Sequence, residues 1–364
     1  MNIIALTKRQ YMSKDLIDDR YWRIRHLPLE LAALGHSIHG FCLSYQNKIE
    51  ARFSDNSVEW CSINAGALKI PGLIRYYKRA SRYARHADLI WASSDSIYGI
   101  LGFLLSKRYK IPCVFDLYDN YEFFLVARLP VLKQLYRWVV KKIDGVTCIS
   151  RPLAKLVQTY GRKKPTKVLE NAVQTELYRP LNMRDCRKAL RLPENGLFIG
   201  TAGTIHPNRG ISVLFKVFDQ LKEIYPDLGL VLAGPCHMDI PKDPRIVYLG
   251  NLPEDRVPLV WNALNVAVVC NTHNEFGKYC FPQKACEIMA CDTPIVGAKV
   301  GSMLDILAGH PSEWLYHPDD AADLARAIKN RLQDTRTNYT GVKTWSDIAA
   351  DLDSFIRIIM MDAA

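Results

Sequence analysis

Short apolar runs alternate with helical patterns from one end of this chain to the other, and that rhythm leaves few folds open. Residues 2–6 read as a strand, 20–34 as a helix closed by Gly35-His36, and 37–43 as the next strand. Short apolar strands follow at 88–92, 113–115 and 145–149, each introduced by a helical pattern. Beyond Pro180 and Pro193 the rhythm restarts with a strand at 197–201 and a helix over 211–223. Strands at 229–233, 246–249, 267–270, 295–296 and 314–316 continue it. Strands separated by helices pair in parallel, with both sheet faces covered. Such sheets bind ligands beyond the carboxyl ends of their strands, so the loops there are where chemistry belongs.

A chain of 364 residues is too long for one comfortable core, and two domains of ordinary size are expected. The hinge falls between Asn171 and Pro193. We therefore expect domains over 1–175 and 176–343, and a final amphipathic helix over 344–364. Charge separates the halves: the net is +14 over residues 1–180 and −3 over 181–364. A cationic first domain suits an anionic partner. Ten cysteines show neither a C-x-x-C pair nor a His–Cys zinc pattern, which reads as a reducing cytoplasm without disulfides. The opening MNIIALTKRQ carries no apolar core of signal-peptide length, and no apolar run reaches membrane-span length.

The densest motif is FPQKACEIMACDTPIV at 281–296, a helical run with Lys284 and Glu287 that breaks at Thr293-Pro294 and enters a strand. It resembles the nucleotide-sugar-binding helix of family 4 glycosyltransferases of the GT-B class, P-x-K-x-x-E-x-M-A-x-G-x-P-V-V. Further segments follow in the family's order: HADLIWASSDSIYGILGFLLSKRYKIPCVFDLYDNYE, IDGVTCISRPL, VLENAV, FIGTAGTIHPNRG, LVLAGP, IVYLGNLP and VGSMLDIL. The resemblance implies an α/β GT-B fold: two Rossmann-like domains facing each other across a cleft, with the C-terminal helix crossing back to the first.

What the resemblance implies for the site follows residue by residue. Glu287 grips the ribose, since a carboxylate accepts two hydrogen bonds in a fork. The loop 202–210 approaches the diphosphate through Gly203, with Arg209 as its cation. The family's usual Arg after the first Gly is Thr204 here, and Arg209 replaces a Lys. Lys284 pairs with Glu287 or contacts the donor. Gly301 and Ser302, with Asp305, shape the donor pocket. Glu275 belongs either to a displaced E-x-F-G element facing the donor sugar or to a plain surface turn. On the acceptor side stand Asp95, Asp116 and Tyr118, the last replacing a His common in relatives. Asp119, ahead of Asp116, is the candidate to orient the acceptor hydroxyl. The first loop, 7–19, lacks the family's glycine pair, and Lys8, Arg9 and Arg20 either compensate with charge or are ordinary surface residues.

The segment 73–86 places Arg75, Lys78, Arg79, Arg82 and Arg85 on one helical stripe, with Tyr76 and Tyr83 near it. That pattern suits an anionic membrane surface, so the expected location is cytoplasmic and peripheral on the inner face of the cell membrane. The functional expectation is a retaining transferase. It moves sugar from a nucleoside-diphosphate sugar to a saccharide or lipid-linked acceptor, in surface polysaccharide, lipid-linked oligosaccharide or glycolipid synthesis. No metal or other cofactor and no nucleic acid are expected. The alternatives are a GT-B-shaped scaffold without catalysis and a sugar-nucleotide epimerase. Asp351 and Asp353 spell D-x-D but belong to one solvated face of the last helix.

Overall fold

The computed structural model describes residues 1–11, 14–20, 23–124, 129–334 and 337–363. The chain divides into two compact units, Met1–Asn171 with Trp345–Ala364, and Ala172–Thr344.

The first unit begins with β1 (Asn2–Lys8), a small antiparallel ribbon of β2 (Gln10–Tyr11) and β3 (Lys14–Asp15), and α1 (Arg23–Ala33). It continues through β4 (Ser37–Ser44), β5 (Ala51–Asp55), β6 (Val58–Asn64), α2 (Ile70–Ala84), β7 (Leu89–Ser93) and α3 (Ser96–Tyr109). Then come β8 (Cys113–Leu117), α4 (Pro130–Lys142), β9 (Gly145–Cys148), α5 (Arg151–Thr159) and β10 (Thr166–Val168). The eight-stranded sheet has the order β10-β9-β8-β7-β1-β4-β6-β5. Its strands are parallel except at the edge, where β5 pairs antiparallel with β6.

The second unit holds α6 (Met183–Ala189), β11 (Leu197–Ala202), α7 (Ile211–Leu221), β12 (Leu228–Ala233), β13 (Ile246–Tyr248) and α8 (Val257–Ala263). It goes on through β14 (Val266–Val269), α9 (Glu275–Tyr279), α10 (Gln283–Ala290), β15 (Ile295–Ala298), α11 (Met303–Ile306), β16 (Leu315–Tyr316) and α12 (Ala321–Arg331). Its six parallel strands run β13-β12-β11-β14-β15-β16, the doubly wound order. The chain therefore reverses direction between β11 and β14 in this unit, and between β1 and β7 in the first. Those two points leave crevices at the strand ends.

The last helix, α13 (Trp345–Ala363), belongs to the first unit. Its D-x-D carboxylates are anchors: Lys167 donates to Asp351 at 2.9 Å, and Asp353 pairs with His36 at 2.8 Å.

Several expectations need correction. Strand β8 runs to Leu117 rather than ending at 115, so Asp116 lies inside the sheet and not in an acceptor loop. It is fully buried; Arg23 grips both its oxygens at 2.7 and 2.9 Å, and Thr147 and Ser93 donate to the same carboxylate. Arg23 also reaches the Glu170 carbonyl and Asn171, tying the end of the first unit to its core. Asp116 is thus a structural anchor with its lone pairs already engaged. Arg9 is likewise committed: it is 3% exposed and bonds Asp15, Asp18 and Ser62, so it supplies no charge to a ligand. On α2, Tyr76 turns into the core and donates to the Phe41 carbonyl instead of flanking the basic stripe. Ile74, before the stripe on the same helix, is half-exposed.

Candidate active site

The second unit gathers its polar residues at the β11/β14 reversal. After β11 the backbone turns through Gly203 (φ +110°) and Gly210 (φ +71°), which immediately precedes α7. Positive φ at both positions favours glycine. The Gly203 and Gly210 N–H groups donate to the Ala233 and Pro207 carbonyls at 2.9 and 3.2 Å, so it is the start of α7, which has no side-chain cap, that can meet an anion. The loop after β14 is tied to this turn: Thr272 and Asn274 side chains both donate to the Asn208 carbonyl, at 3.2 and 2.9 Å. Asn274 then caps α9 by accepting from Gly277 N–H at 2.7 Å. This places Phe276 under Arg209, whose guanidinium lies 3.8 Å from the ring centroid. Stacking holds the fork of the guanidinium in one plane.

Helix α10 delivers Lys284 and Glu287. The Lys284 amine reaches so near the β11 turn that a Cβ on Gly203 would lie 3.1 Å from it. Burial pulls the Lys284 amine below its ordinary range, and the Arg209 charge adds to that, while Cys270 and Glu287 act against it. Glu287 accepts from the Trp261 indole N–H at 3.2 Å. Burial pushes its carboxyl up to about 7, against the opposing pull of the Trp261 hydrogen bond and the Lys284 charge. At the Gly203 turn, then, one amine lies under the opposing charges of Arg209 and Glu287.

Gly301 (φ +57°) supports the far side. A Cβ there would fall 2.3 Å from the Gly277 carbonyl oxygen, so only glycine permits the approach. Ser302 is buried, and its hydroxyl donates to the Cys280 carbonyl at 3.0 Å. Together they fix the turn 277–280 that carries α9 into α10. Glu275 is exposed at the first position of α9. Phe276 and Trp261, which orient the two charged groups, were not singled out from the sequence. Phe276 stands between Glu275 and Gly277 in the E-x-F-G segment, and an aromatic between an acid and a glycine was the available signal.

In the first unit the reversal between β1 and β7 brings together Lys8, the last residue of β1, and Asp95, which follows β7 and caps α3 through Ser96 N–H at 2.6 Å. Burial lowers the Lys8 amine, and the charges of Asp95 and then Asp119 oppose that shift. Burial raises the Asp95 carboxyl, and Lys8 opposes that. The Lys8 amine lies 4.8 Å from the Tyr11 ring centroid and 4.9 Å from that of Phe124. Tyr118 is buried behind them, edge-on to Tyr11 at 5.1 Å, with its hydroxyl donating to the Ser94 carbonyl at 3.3 Å. Burial raises the Tyr118 hydroxyl well above its ordinary range, and the backbone already engages it. Lys8, left open in the sequence, is the central cation of this crevice.

A cavity of about 400 Å³ lies elsewhere, between α2 and the β5–β6 edge, lined by Glu50, Arg52, Arg79, Arg82 and Tyr83 among others. It lies at the β5 edge of the first unit's sheet, away from the β1/β7 reversal. Glu50 there neutralises part of the basic stripe by accepting from Arg75 at 3.2 Å and Arg79 at 2.9 Å. Among the described residues no three His, Cys, Asp or Glu side chains converge as metal ligands, and no helix is long and apolar enough to cross a membrane.

Comparison with known proteins places this geometry. Among curated proteins, a 2-deoxystreptamine glucosyltransferase of Streptomyces kanamyceticus is 26% identical over 56% of this chain and 55% of its own length. A D-inositol 3-phosphate glycosyltransferase of Stackebrandtia nassauensis is 28% identical over 59% of this chain and 54% of its own. The chain therefore spans about half the length of these relatives. An alpha-monoglucosyldiacylglycerol synthase of Streptococcus pneumoniae is 21% identical over 85% of this chain and 74% of its own. Among solved structures, sucrose-phosphate synthase from Thermosynechococcus elongatus superposes with a TM-score of 0.74 at 18% identity, covering 100% of both chains. HepE of Anabaena in complex with UDP-glucose superposes with a TM-score of 0.65 at 17% identity, covering 100% of this chain and 98% of its own. These likenesses establish the GT-B fold. Residues 23–177 match the family model described as Glycosyltransferase Family 4, and residues 196–334 match that of Glycosyl transferases group 1. The chain belongs to the family 4, group 1 glycosyltransferases.

Proposed function

We propose that this protein transfers a sugar, with retention, from a nucleoside-diphosphate sugar to an acceptor hydroxyl. The observation that carries the reading is Lys284 at the Gly203 turn, acted on by the charges of Arg209 and Glu287, with Arg209 stacked on Phe276. Glu287 would accept both ribose hydroxyls. The uncapped start of α7 and the Arg209 and Lys284 cations would take the diphosphate and stabilise it as it leaves. Those two cations supply the charge neutralisation that a metal would otherwise give, so the transfer is expected to run without one. In this reading Lys284 replaces the second cation missing at Thr204. Glu275, at the exposed start of α9, is kept as the candidate to face the donor sugar. Gly301 and Ser302 hold the turn under Arg209.

The acceptor would enter the crevice of Lys8, Asp95 and Asp119, whose aromatic walls and carboxylates suit a sugar or polyol. Asp119 would orient the reacting hydroxyl. The diacylglycerol relative and the inositol phosphate relative support an acceptor that is a glycolipid, a lipid-linked saccharide or a related polyol. HepE binding UDP-glucose supports UDP as the first nucleotide to try. Contact of α2 with an anionic membrane on its cytoplasmic face belongs to the same reading, narrowed to Lys78, Arg82 and Arg85 because Glu50 holds Arg75 and Arg79.

Thermal unfolding in the presence of UDP-, GDP- and ADP-sugars tests the donor assignment. One nucleotide should raise the midpoint, and Glu287→Gln should abolish the rise. A panel without any shift would refute a donor site of this kind.

A further inference from the structure

The register of the first sheet builds a row of side chains that neither strand-end crevice uses. Phe41 of β4 stands beside Cys61 of β6, and Cys61 beside Arg52 of β5, so the three share one face. Helix α2 packs over β4 and β6, and its Arg79, Arg82 and Tyr83, at i, i+3 and i+4, face the same row. The cavity of about 400 Å³ lies between them, within the size range of small-molecule sites. Part of its lining is aromatic: Phe41 is buried and meets the Tyr83 ring edge-on at 5.3 Å.

The charges around the cavity are unevenly matched. Glu50 accepts from Arg79 at 2.9 Å and from Arg75 at 3.2 Å, which fixes Arg79 in the wall. The Arg79 guanidinium also lies 3.9 Å from the Cys61 sulfur. Arg52 and Arg82 line the cavity from β5 and α2, and among the described residues neither has a hydrogen-bond or ion-pair partner. Three guanidiniums against one carboxylate leave two positive charges at the cavity. Unpaired like charges facing one space repel, and a dianion there relieves the repulsion while accepting from both guanidinium forks. A phosphate monoester carries close to two negative charges at neutral pH. The rings of Phe41 and Tyr83 give its organic part an apolar surface.

We infer that this cavity binds a water-soluble phosphate monoester, its phosphate on Arg52 and Arg82 and its organic part against Phe41 and Tyr83. The site is independent of the donor assignment, since all its residues belong to the first unit. Occupation takes Arg82 out of the α2 stripe and leaves Lys78 and Arg85 for a membrane. Phe41 is 1% exposed, a depth that a single small molecule reaches and the plane of a bilayer does not.

Calorimetric titration of the full chain with phenyl phosphate, and with inorganic phosphate beside it, is the test. The wild type should bind phenyl phosphate, and inorganic phosphate more weakly because it lacks the ring. Arg52→Gln with Arg82→Gln should weaken phenyl phosphate roughly tenfold or more, with an unchanged unfolding midpoint, since both residues are exposed. Arg209→Ala should leave this binding unchanged, which separates the cavity from the donor site. Cys61 is half-buried in the wall and reports occupancy: phenyl phosphate should slow its alkylation by iodoacetamide in the wild type and not in the double variant. The inference is overturned if the wild type binds neither phosphate, or if the arginine pair is dispensable while Arg209→Ala abolishes binding. It is equally overturned if Cys61 is alkylated as fast with phenyl phosphate as without it, or if only vesicles carrying phosphatidic acid bind.

Discussion

The indole N–H of Trp261 donates to a carboxylate oxygen of Glu287 at 3.2 Å, joining α8 to α10 on the two flanks of β14. The bond fixes the carboxylate while leaving its second oxygen for a ligand, in a setting that holds the acid near neutrality.

That setting makes nucleotide binding depend on pH. The partly buried Glu287 carboxyl rises from 4.5 to about 7 on folding because it is desolvated. Between those values the folded protein holds a proton that the unfolded chain has lost. Its contribution to stability therefore falls as pH rises through this window. Hydroxyl donors favour the ionised form, so nucleotide affinity should increase about tenfold from pH 6 to pH 8, following the ionised fraction. Calorimetric titrations across that range should show the increase, and Glu287→Gln should flatten it.

Arg23→Met should destabilise the protein by about 3–5 kcal/mol, because it leaves the fully buried Asp116 carboxylate without its cation. Chemical denaturation measures the loss. Nucleotide affinity should stay unchanged where the variant is folded, since Asp116 serves the core of the first unit. A large loss of transfer to the acceptor, with native stability and nucleotide affinity, would return Asp116 to the acceptor site.

Much of this was legible in the sequence. The parallel two-domain plan followed from apolar runs separated by helices, because strands covered on both faces are continuously apolar. Edge strands are not: β5 alternates half-buried and exposed residues, so it escaped that reading together with its partner β6, although Asn56 (φ +51°) marks the turn between them. Strand ends were the other weakness. Reading β8 two residues short moved Asp116 from core to loop, and reading β1 short of Lys8 hid the cation at the first crevice. Glu287 and Lys284 were visible because 281–296 resembles the family's donor-binding helix, and their i,i+3 spacing then makes them neighbours. The stacking of Phe276 on Arg209 joins residues 67 positions apart, and no local pattern announces it.

Gly301→Ala should weaken nucleotide binding about tenfold without unfolding the protein. Its Cβ would collide with the Gly277 carbonyl, and its φ of +57° adds about 1 kcal/mol of backbone strain. The displaced turn carries Phe276 and hence Arg209. Titration of the variant with UDP-glucose, beside its unfolding midpoint, separates local displacement from general destabilisation.

Lys8→Met should leave nucleotide affinity intact and lower the transfer rate at least tenfold. It removes the cation that acts on Asp95 and Asp119, and the upward push of burial on the Asp95 carboxyl is then less opposed, which disfavours the ionised form that a hydroxyl would contact. Turnover with a lipid-linked or polyol acceptor, compared with nucleotide binding by the same variant, measures the split.

The central claim is that the Gly203 turn with Arg209, Lys284 and Glu287 is a nucleotide-sugar site. Calorimetric titration of UDP-glucose into the wild type, Arg209→Ala, Glu287→Ala and Asp119→Ala tests it most directly, with GDP- and ADP-glucose run in parallel. The account predicts that one nucleotide binds the wild type and Asp119→Ala alike, and binds Arg209→Ala and Glu287→Ala at least tenfold more weakly. Equal binding by all four proteins would contradict it.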